Sequence, residues 1–340
     1  MSRPTTMADI AARAGVTVAT VSRALTERTA ASLRPETVAR IRAVADELGY
    51  RPNQLARGLR TRRSSTLGML APDLTNPFMP PVVRAVEEVL RAAGYTLIVA
   101  NTDNEPDREA RLLQTMVDRQ VEGLVLATAR LDASWRVDRS TTPVPVVLVN
   151  RSSRFDLPTV VPDDAQCMGL AVDHLLDLGH RRIGHVAGPR GISTGRDRAE
   201  AFEHHLGAAG HFDPERVEDT ERLTVDEGRR ACARLLDRHP DLTAIAAAND
   251  LLAIGCLRTL RERGRRVPED VSLVGFNDMH FVDLLDPPLT TVRVPQRELG
   301  RAAAELALAL VTDHGTTATA AMVRLPGTLV VRGSTCPPSA

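Results

Sequence analysis

The chain has 340 residues, 43% of them apolar and 25% charged, with a formal net charge of zero. That length suits two or three compact units rather than one, and the composition is ordinary for a globular protein. No stretch approaches the roughly 18 uninterrupted apolar residues of a membrane span. The opening "MSRPTTMADIAARAG" has neither an apolar signal core nor a cleavage pattern, so a cytoplasmic protein is expected.

The four cysteines, Cys167, Cys232, Cys256 and Cys336, form no Cys-x-x-Cys pair and lie near no ligand-spaced histidines. They read as structural thiols of a reducing compartment, and neither a metal site nor a cofactor is expected. All 43 basic residues are arginine, so arginine counts alone carry little functional information. The zero net charge conceals an asymmetry. Residues 1–63 carry 12 arginines against 5 acidic residues, a net of +7 that the rest of the chain balances. A basic module on an acidic body implies a polyanionic partner for the module only.

Three short helices fit the start. The first runs from about Met7 to Ala14, with Thr6 as N-cap and Asp9 in its first turn. Gly15 and Val16 make a turn, and Thr17 caps a second helix over about Val18 to Leu25. Pro35 near the first position, Glu36 in the first turn and Gly49 as the stop define a third. Its apolar stripe is Val38, Ile41, Val44, Ala45 and Leu48. "YRPNQLARGLRTRRSS" then holds a helix-compatible stretch that Asn53 can cap. It is too short to persist alone and is weakened by Gly58.

From Thr66 the rhythm changes. Apolar strands ("TLGMLAP", "TLIVAN", "VEGLVLAT", "VPVVLVN") alternate with amphipathic helices ("PPVVRAVEEVLRAAGY", "PDREARLLQTMVDRQ"). After Asp163 the alternation restarts, through "AVDHLLDLGH", "RIGHVAG", "RDRAEAFEHHLGAAG", "VDEGRRACARLLDR", "LTAIAAAN" and "LLAIGCLRTLRERG" to "VSLVGFN". This pattern implies βαβ units, buried parallel sheets and two similar lobes.

Two short helices on a tight turn let the second project into the major groove of double-stranded DNA. The outward positions on that helix are Val18, Ala19, Ser22 and Arg23. Arg23 suits guanine O6 and N7, and Val18 and Ala19 suit a thymine methyl. Thr6 stands at the start of the module, and Thr17, Thr20 and Ser22 suit phosphates, which position without specifying sequence. By periodicity alone, any small helical bundle fits the same pattern.

"MADIAARAGVTVATVSRAL" followed by "YRPNQLARGLRTRRS" resembles the DNA-binding headpiece and hinge of the LacI/GalR family of bacterial transcription regulators. "LAPDLTNPF", "GHRRIGHVAGP", "AANDLLAIG", "VPEDVSLVGFND", "PPLTTVRVP" and "VVRGST" resemble family segments in the same order, so the likeness spans nearly the whole chain. The resemblance implies an all-α helix-turn-helix headpiece over residues 1–49 and a hinge helix and linker over 50–63. An α/β effector-binding body of periplasmic-binding-protein type follows over 64–336. Its first lobe comprises about 64–162 and 292–325, and its second about 163–291 and 326–336. In the family the hinge folds on operator DNA and a leucine wedges into a central base step of a two-fold symmetric site. The matching residue is Leu59, with Asn53, Ala56 and Arg57 facing the groove beside it. An apolar wedge kinks the duplex and extends the contact. The family's regulators are homodimers, some of them tetramers. The ending "GSTCPPSA" carries no heptads for a tetramerising coiled coil.

In open α/β sheets a ligand sits beyond the carboxyl ends of the strands. The residues placed there are Asp73, Asn76, Phe78, Asn101, Asp103, Asn150, Arg151, Asn249 and Asn277, with Asp163 near the lobe crossover. Amides, carboxylates and arginines of this kind suit a sugar or sugar-like metabolite. Asn and Asp after a strand also cap helices, which leaves a purely structural role open for Asn76, Asn249 and Asp250. Arg196 opens a helix where a cation opposes the macrodipole, and the resemblance gives an arginine of this motif to the effector. Asn277 stands where many sugar-binding members have Asp, and the single tryptophan, Trp135, offers stacking. The expected function is a repressor of carbohydrate-utilisation genes released by its effector, or a regulator that needs a corepressor. A solute receptor would fit the body but not the headpiece. No phosphate loop, nucleophile elbow or zinc-protease motif points to an enzyme.

Overall fold

The computed structural model describes residues 5–25, 30–50, 64–132, 137, 142–312 and 321–339. It divides into two units, Met1–Ser64 and Ser65–Ala340.

Among the described residues, the first unit is built on three helices, α1 (Met7–Ala14), α2 (Val18–Ala24) and α3 (Pro35–Glu47). Asp9, at the third position of α1, accepts from the Thr6 N–H and hydroxyl (2.8 and 2.7 Å), which anchors the helix start. Gly15 ends α1 in the left-handed conformation (φ 65°), the backbone state that Gly adopts without strain. Thr17 Oγ1 then accepts from the Thr20 N–H at 3.2 Å and starts α2. α2 stops one residue earlier than expected, with Leu25 as its C-cap. Ile10, Ala11, Ala14, Val21, Ala24, Ile41 and Ala45 form a small closed core, with Val16, Leu25, Val38, Leu48 and Tyr50 packed around it.

The second unit carries two six-stranded sheets. The first has β1 (Thr66–Ala71), β2 (Thr96–Asn101), β3 (Gly123–Leu126), β4 (Val146–Val149), β5 (Thr159–Pro162) and β11 (Met322–Leu325), in the order β11-β5-β4-β3-β1-β2. The second has β6 (Ile183–Ala187), β7 (Val217–Asp219), β8 (Ala244–Ala247), β9 (Ser272–Asn277), β10 (Thr290–Arg293) and β12 (Thr328–Val330), in the order β12-β10-β9-β8-β6-β7. Among the described residues only the β10–β12 pair is antiparallel. β3, β4, β6, β8 and β9 are buried along their whole length, as strands covered by helices on both faces must be.

The helices of this unit are α4 (Met79–Ala92), α5 (Pro106–Asp118), α6 (Asp164–Asp177), α7 (Ser193–Ala208), α8 (Val225–Arg238), α9 (Asp250–Glu262) and α10 (Gln296–Thr312). The chain passes between the sheets three times: after β5, after β10 and between β11 and β12. β10 lies wholly in the second sheet, so the second passage follows Arg293 rather than starting at 292. α10 then returns to the first lobe against α4. The approach is close: a Cβ on Gly300 would lie 2.4 Å from the Val82 carbonyl oxygen. The third passage is equally tight, since a Cβ on Gly327 would lie 2.5 Å from Cys167 Sγ. Three strands crossing side by side make a hinge, and the two sheets present their carboxyl ends to the space beside it.

Candidate nucleic-acid interface and effector cleft

On α2, Val18, Ala19 and Arg23 are exposed, while Ser22 and Thr20 are half-buried. Val21 and Ala24 point inward and hold α2 on the headpiece core. Val18–Ser22 and Ala19–Arg23 are i,i+4 pairs, so the outward residues share one face. Val18 is 47% exposed, unusual for a valine on a helix that also feeds a core. Thr17 and Thr20 place their hydroxyls 2.9 Å apart at the start of this face. The Thr6 hydroxyl is engaged with Asp9 and serves the start of α1. Asn53, Ala56, Arg57 and Leu59 of the hinge, and Trp135, lie outside the described residues.

In the second unit a narrow cleft opens beside the hinge. The first lobe supplies Asn76, Phe78 and Met79 at the start of α4, and Asn150 and Arg151 after β4. The second supplies Thr194 and Arg198 from α7, Asn249 ahead of α9, and Asn277 at the end of β9. Asn76, Phe78, Asn150, Arg151, Asn249 and Asn277 are thus brought together as expected from the sequence.

Asn249 has two roles at once. Its Oδ1 accepts from the Leu252 N–H at 2.8 Å and caps α9, while its Nδ2 is buried without a partner. Asn150 Oδ1, Arg151 Nε, Thr194 Oγ1 and Asn277 Oδ1 are likewise buried and unpartnered. Native proteins rarely leave such atoms unmatched, because each costs about 1–3 kcal/mol of desolvation. Five of them on one cleft amount to an unfilled hydrogen-bonding surface.

Arg198 is the firmest group in the wall. Its Nε donates to Asp164 Oδ1 and its Nη1 to the Ala248 carbonyl, both at 2.7 Å. The guanidinium lies 3.8 Å above the centre of the Phe276 ring, which fixes its plane. Burial pushes the Asp164 carboxyl up to about 6, with Arg198 opposing the shift. Behind the cleft, fully buried Asp250 accepts from the Met279 N–H (2.8 Å) and the Thr291 hydroxyl (2.6 Å). Burial raises it to about 7, against those hydrogen bonds. It pins a turn in which Asn277 (φ 116°) and Asp278 (φ 52°) both have positive φ, a region that Asn and Asp tolerate better than most residues. Asp278 accepts from Arg293 (2.7 Å) and Arg332 (2.6 Å), so the residue beside the cleft-lining Asn277 clamps two segments at the hinge.

The remaining sequence-assigned residues lie elsewhere. Asp73 Oδ1 accepts from the Thr75 N–H and hydroxyl (2.8 and 2.6 Å) in a local turn. Asn101 bonds the Leu74 N–H and Asp103, and Asp103 pairs with Arg108. These three stabilise loops and do not line the cleft. Asp163 caps α6 by accepting from the Gln166 N–H at 3.1 Å. Together with Arg196 it borders a separate cavity that also involves Ser153, Glu200 and Arg324.

Arg196 lies outside the cleft for a geometric reason. α7 starts at Ser193, three residues before the expected start, so Arg196 falls on its outer face and pairs with Asp197 at 2.7 Å. Arg198 lies two residues on, about 200° around the helix, and so faces inward. "GRDR" offers both arginines, and only the true helix start tells them apart. Thr194 was missed for the same reason. Among the described residues no cluster of metal-ligating side chains occurs, and no helix is long and apolar enough to cross a membrane.

A helix-turn-helix module joined to a two-lobed body with an unfilled polar cleft at its hinge defines a ligand-responsive DNA-binding regulator. Residues 6–53 match the model for bacterial regulatory proteins of the lacI family, and residues 172–335 match the periplasmic binding protein-like domain. The chain is 36% identical to the HTH-type transcriptional regulator MalR of Streptomyces coelicolor, over 97% of this chain and 96% of that one. It is 33% identical to the ribose operon repressor of Halalkalibacterium halodurans over 89% of each. Among solved structures, a transcriptional regulator CelR–cellobiose complex aligns with a TM-score of 0.73 and 30% identity, covering 98% of this chain and all of that one. The lac repressor dimer bound to operator and an anti-inducer shares the fold, with a TM-score of 0.85 at 24% identity over 98% of this chain and all of that one. The chain belongs to the LacI family of bacterial transcription regulators, whose members are regulators rather than enzymes.

Proposed function

We propose that this protein is a cytoplasmic, homodimeric repressor of carbohydrate-utilisation genes. It binds a pseudo-palindromic operator through the α2 face, and a sugar-like effector in the hinge cleft releases it. The observation that carries the effector site is the set of five buried, unpartnered polar atoms from both lobes. A polyhydroxylated molecule would satisfy donors and acceptors on both walls and so fix the angle between the lobes. A relative named as a ribose operon repressor and a cellobiose-bound neighbour support the carbohydrate class.

A dimer accounts for a further feature. Phe281 and Leu284, next to the cleft turn, are 73% and 74% exposed, a poor arrangement for an isolated protomer. Two protomers would place two headpieces on the two halves of the operator, with residues 1–49 as headpiece and 50–63 as hinge. Leu59 would wedge into the central step, with Asn53, Ala56 and Arg57 beside it.

The test is binding of the purified chain to fragments of its own promoter region at fixed salt, with and without a panel of sugars and sugar derivatives. Tight binding that one compound releases is the expected result. Binding that a compound strengthens would reverse the sign and make it a corepressor. No specific binding under any condition would remove the regulator assignment of the α2 face.

A further inference from the structure

The charge of the cleft is one-sided. Among its lining residues there is no Asp or Glu; the polar groups are four asparagines, Thr194, Arg151 and Arg198. The nearby carboxylates are already engaged. Asp164 holds Arg198, Asp250 holds the turn at Met279 and Thr291, and Asp278 holds Arg293 and Arg332.

Arg151 is a buried cation that no carboxylate among the described residues contacts in an ion pair. It is 6% exposed, its only hydrogen bond among the described residues is a 3.3 Å contact from Nη1 to Asn104 Oδ1, and its Nε has no partner. Glu109 is close enough to be felt electrostatically, but its carboxylate accepts from the Thr128 hydroxyl. Burial, with Arg130 and Arg198 nearby, lowers Arg151 to about 10. Arg198 uses Nε and Nη1 within the protein, which leaves Nη2.

The backbone adds to this field. The N-termini of α4, α7 and α9, helices of 14, 16 and 13 residues, all reach the cleft, at Met79, Thr194 and Asn249. Helix N-termini favour negative charge. A neutral sugar presents many hydroxyl donors and is held best by carboxylate acceptors. This wall instead offers no carboxylate, and one of its two arginines, Arg151, has no ion-pair partner among the described residues.

We propose that the effector is an anionic carbohydrate derivative whose carboxylate or phosphate is received by the Arg151 and Arg198 guanidinium groups, with Asn150, Asn249 and Asn277 taking its hydroxyls. The inference rests on the cleft being the effector site.

The experiment is calorimetric binding by the purified full chain of matched sets: glucose, glucuronate, gluconate and glucose 6-phosphate, and galactose with galacturonate and galactose 6-phosphate. One anion should bind at least about tenfold more tightly than its neutral parent. The carboxylate and phosphate arms separate the two sources of charge. Arg151→Gln should remove most of that preference. Asn277→Asp, which restores a carboxylate to the wall without disturbing a buried cation, should weaken the anion far more than the neutral sugar. If a neutral parent binds as tightly as its anions, and Arg151→Gln weakens both alike, the cleft remains the effector site and the charge inference fails. If no member of either set binds in a way that Asn249→Ser weakens by about tenfold or more, both the charge inference and the effector reading fall.

Discussion

Arg198 and Asp164 form a buried ion pair, 2.7 Å long with side chains 3% and 6% exposed, that joins α7 to the first turn of α6 just after the chain enters the second lobe. Geometry and the Phe276 ring hold the guanidinium in one plane beside the cleft. Removing one partner of such a pair strands the other in a low-dielectric site. Asp164→Ala should therefore destabilise the body by about 3–5 kcal/mol. Arg198→Met, which keeps the volume and removes the charge, leaves Asp164 free to take up a proton, so its loss in thermal unfolding should be smaller. Equal losses in the two variants would contradict the assignment of the pair as a stranded-charge problem.

Asp250 makes stability depend on pH. Its carboxyl is raised to about 7, mainly by burial, above the unfolded value of about 3.9. The folded state therefore holds the proton more tightly. The resulting stability is fully present below about pH 4 and is lost as pH rises through about 7. Asp164, raised to about 6, acts in the same direction but finishes earlier. Buried His185, lowered to about 4, acts in the opposite sense, and its contribution is lost only as pH falls below its unfolded value of about 6.5. His174 and His180, also lowered, act like His185. Across about pH 6.5 to 8 the falling contribution of Asp250 runs against the upper part of the histidine titrations, which adds stability as pH rises. Asp250→Asn should remove the falling contribution, so unfolding midpoints of the variant should change more positively with pH across this window than those of the native chain. An unchanged slope in the variant would assign the effect to another group.

The sequence shows most of the fold because buried parallel strands and amphipathic helices leave strong local patterns. "TLIVAN" and "VDEGRRACARLLDR" coincide with β2 and α8. What escaped has a physical cause in each case. β7 is three residues, "VED", at a sheet edge, where Glu218 pairs with Arg234 and Arg238 rather than entering a core. No apolar pattern marks such a strand. The cleft asparagines were legible because the rule about strand ends is topological. Asp73, Asn101 and Asp103 satisfy the same rule and still fail, since their side chains fold back on their own loops. Residue type and strand end do not determine side-chain direction; in Arg196 and Arg198 a three-residue shift of a helix start decided it.

Asn249 allows its two roles to be separated. Asn249→Ser keeps an oxygen for the Leu252 N–H and removes the unpartnered Nδ2. Its stability should change by no more than about 0.5 kcal/mol, whereas Asn249→Ala should lose about 1 kcal/mol with the cap. Both should weaken effector binding by about tenfold or more, the value of one buried hydrogen bond to a ligand. A serine variant with normal effector response would leave Asn249 as a helix cap and nothing else.

Phe281 and Leu284 make the dimer testable without DNA. If they are covered by a second copy, Leu284→Glu places a charge in an apolar interface and should shift the protein toward monomer in sedimentation equilibrium. Operator affinity should fall with it, because one headpiece alone reads only half a site. The isolated protomer should unfold at a similar temperature, since neither side chain enters its core. A variant that stays dimeric would move the interface elsewhere on the body.

Arg23 is the residue of α2 suited to read a guanine, being exposed on the face opposite Val21 and Ala24. Arg23→Ala should cost about 1–3 kcal/mol per half-site and relax the preference at one base pair in each half. The same variant should reduce the salt dependence little, because the lost contact is to a base edge rather than to a phosphate. Competition binding against operators substituted at single positions, repeated across a salt series, separates the two. A uniform loss over all operators, with a salt slope lower by about one per half-site, would instead make Arg23 a phosphate contact. Base reading would then rest on Val18, Ala19 and Ser22, whose small side chains let the backbone of α2 come close to the groove floor.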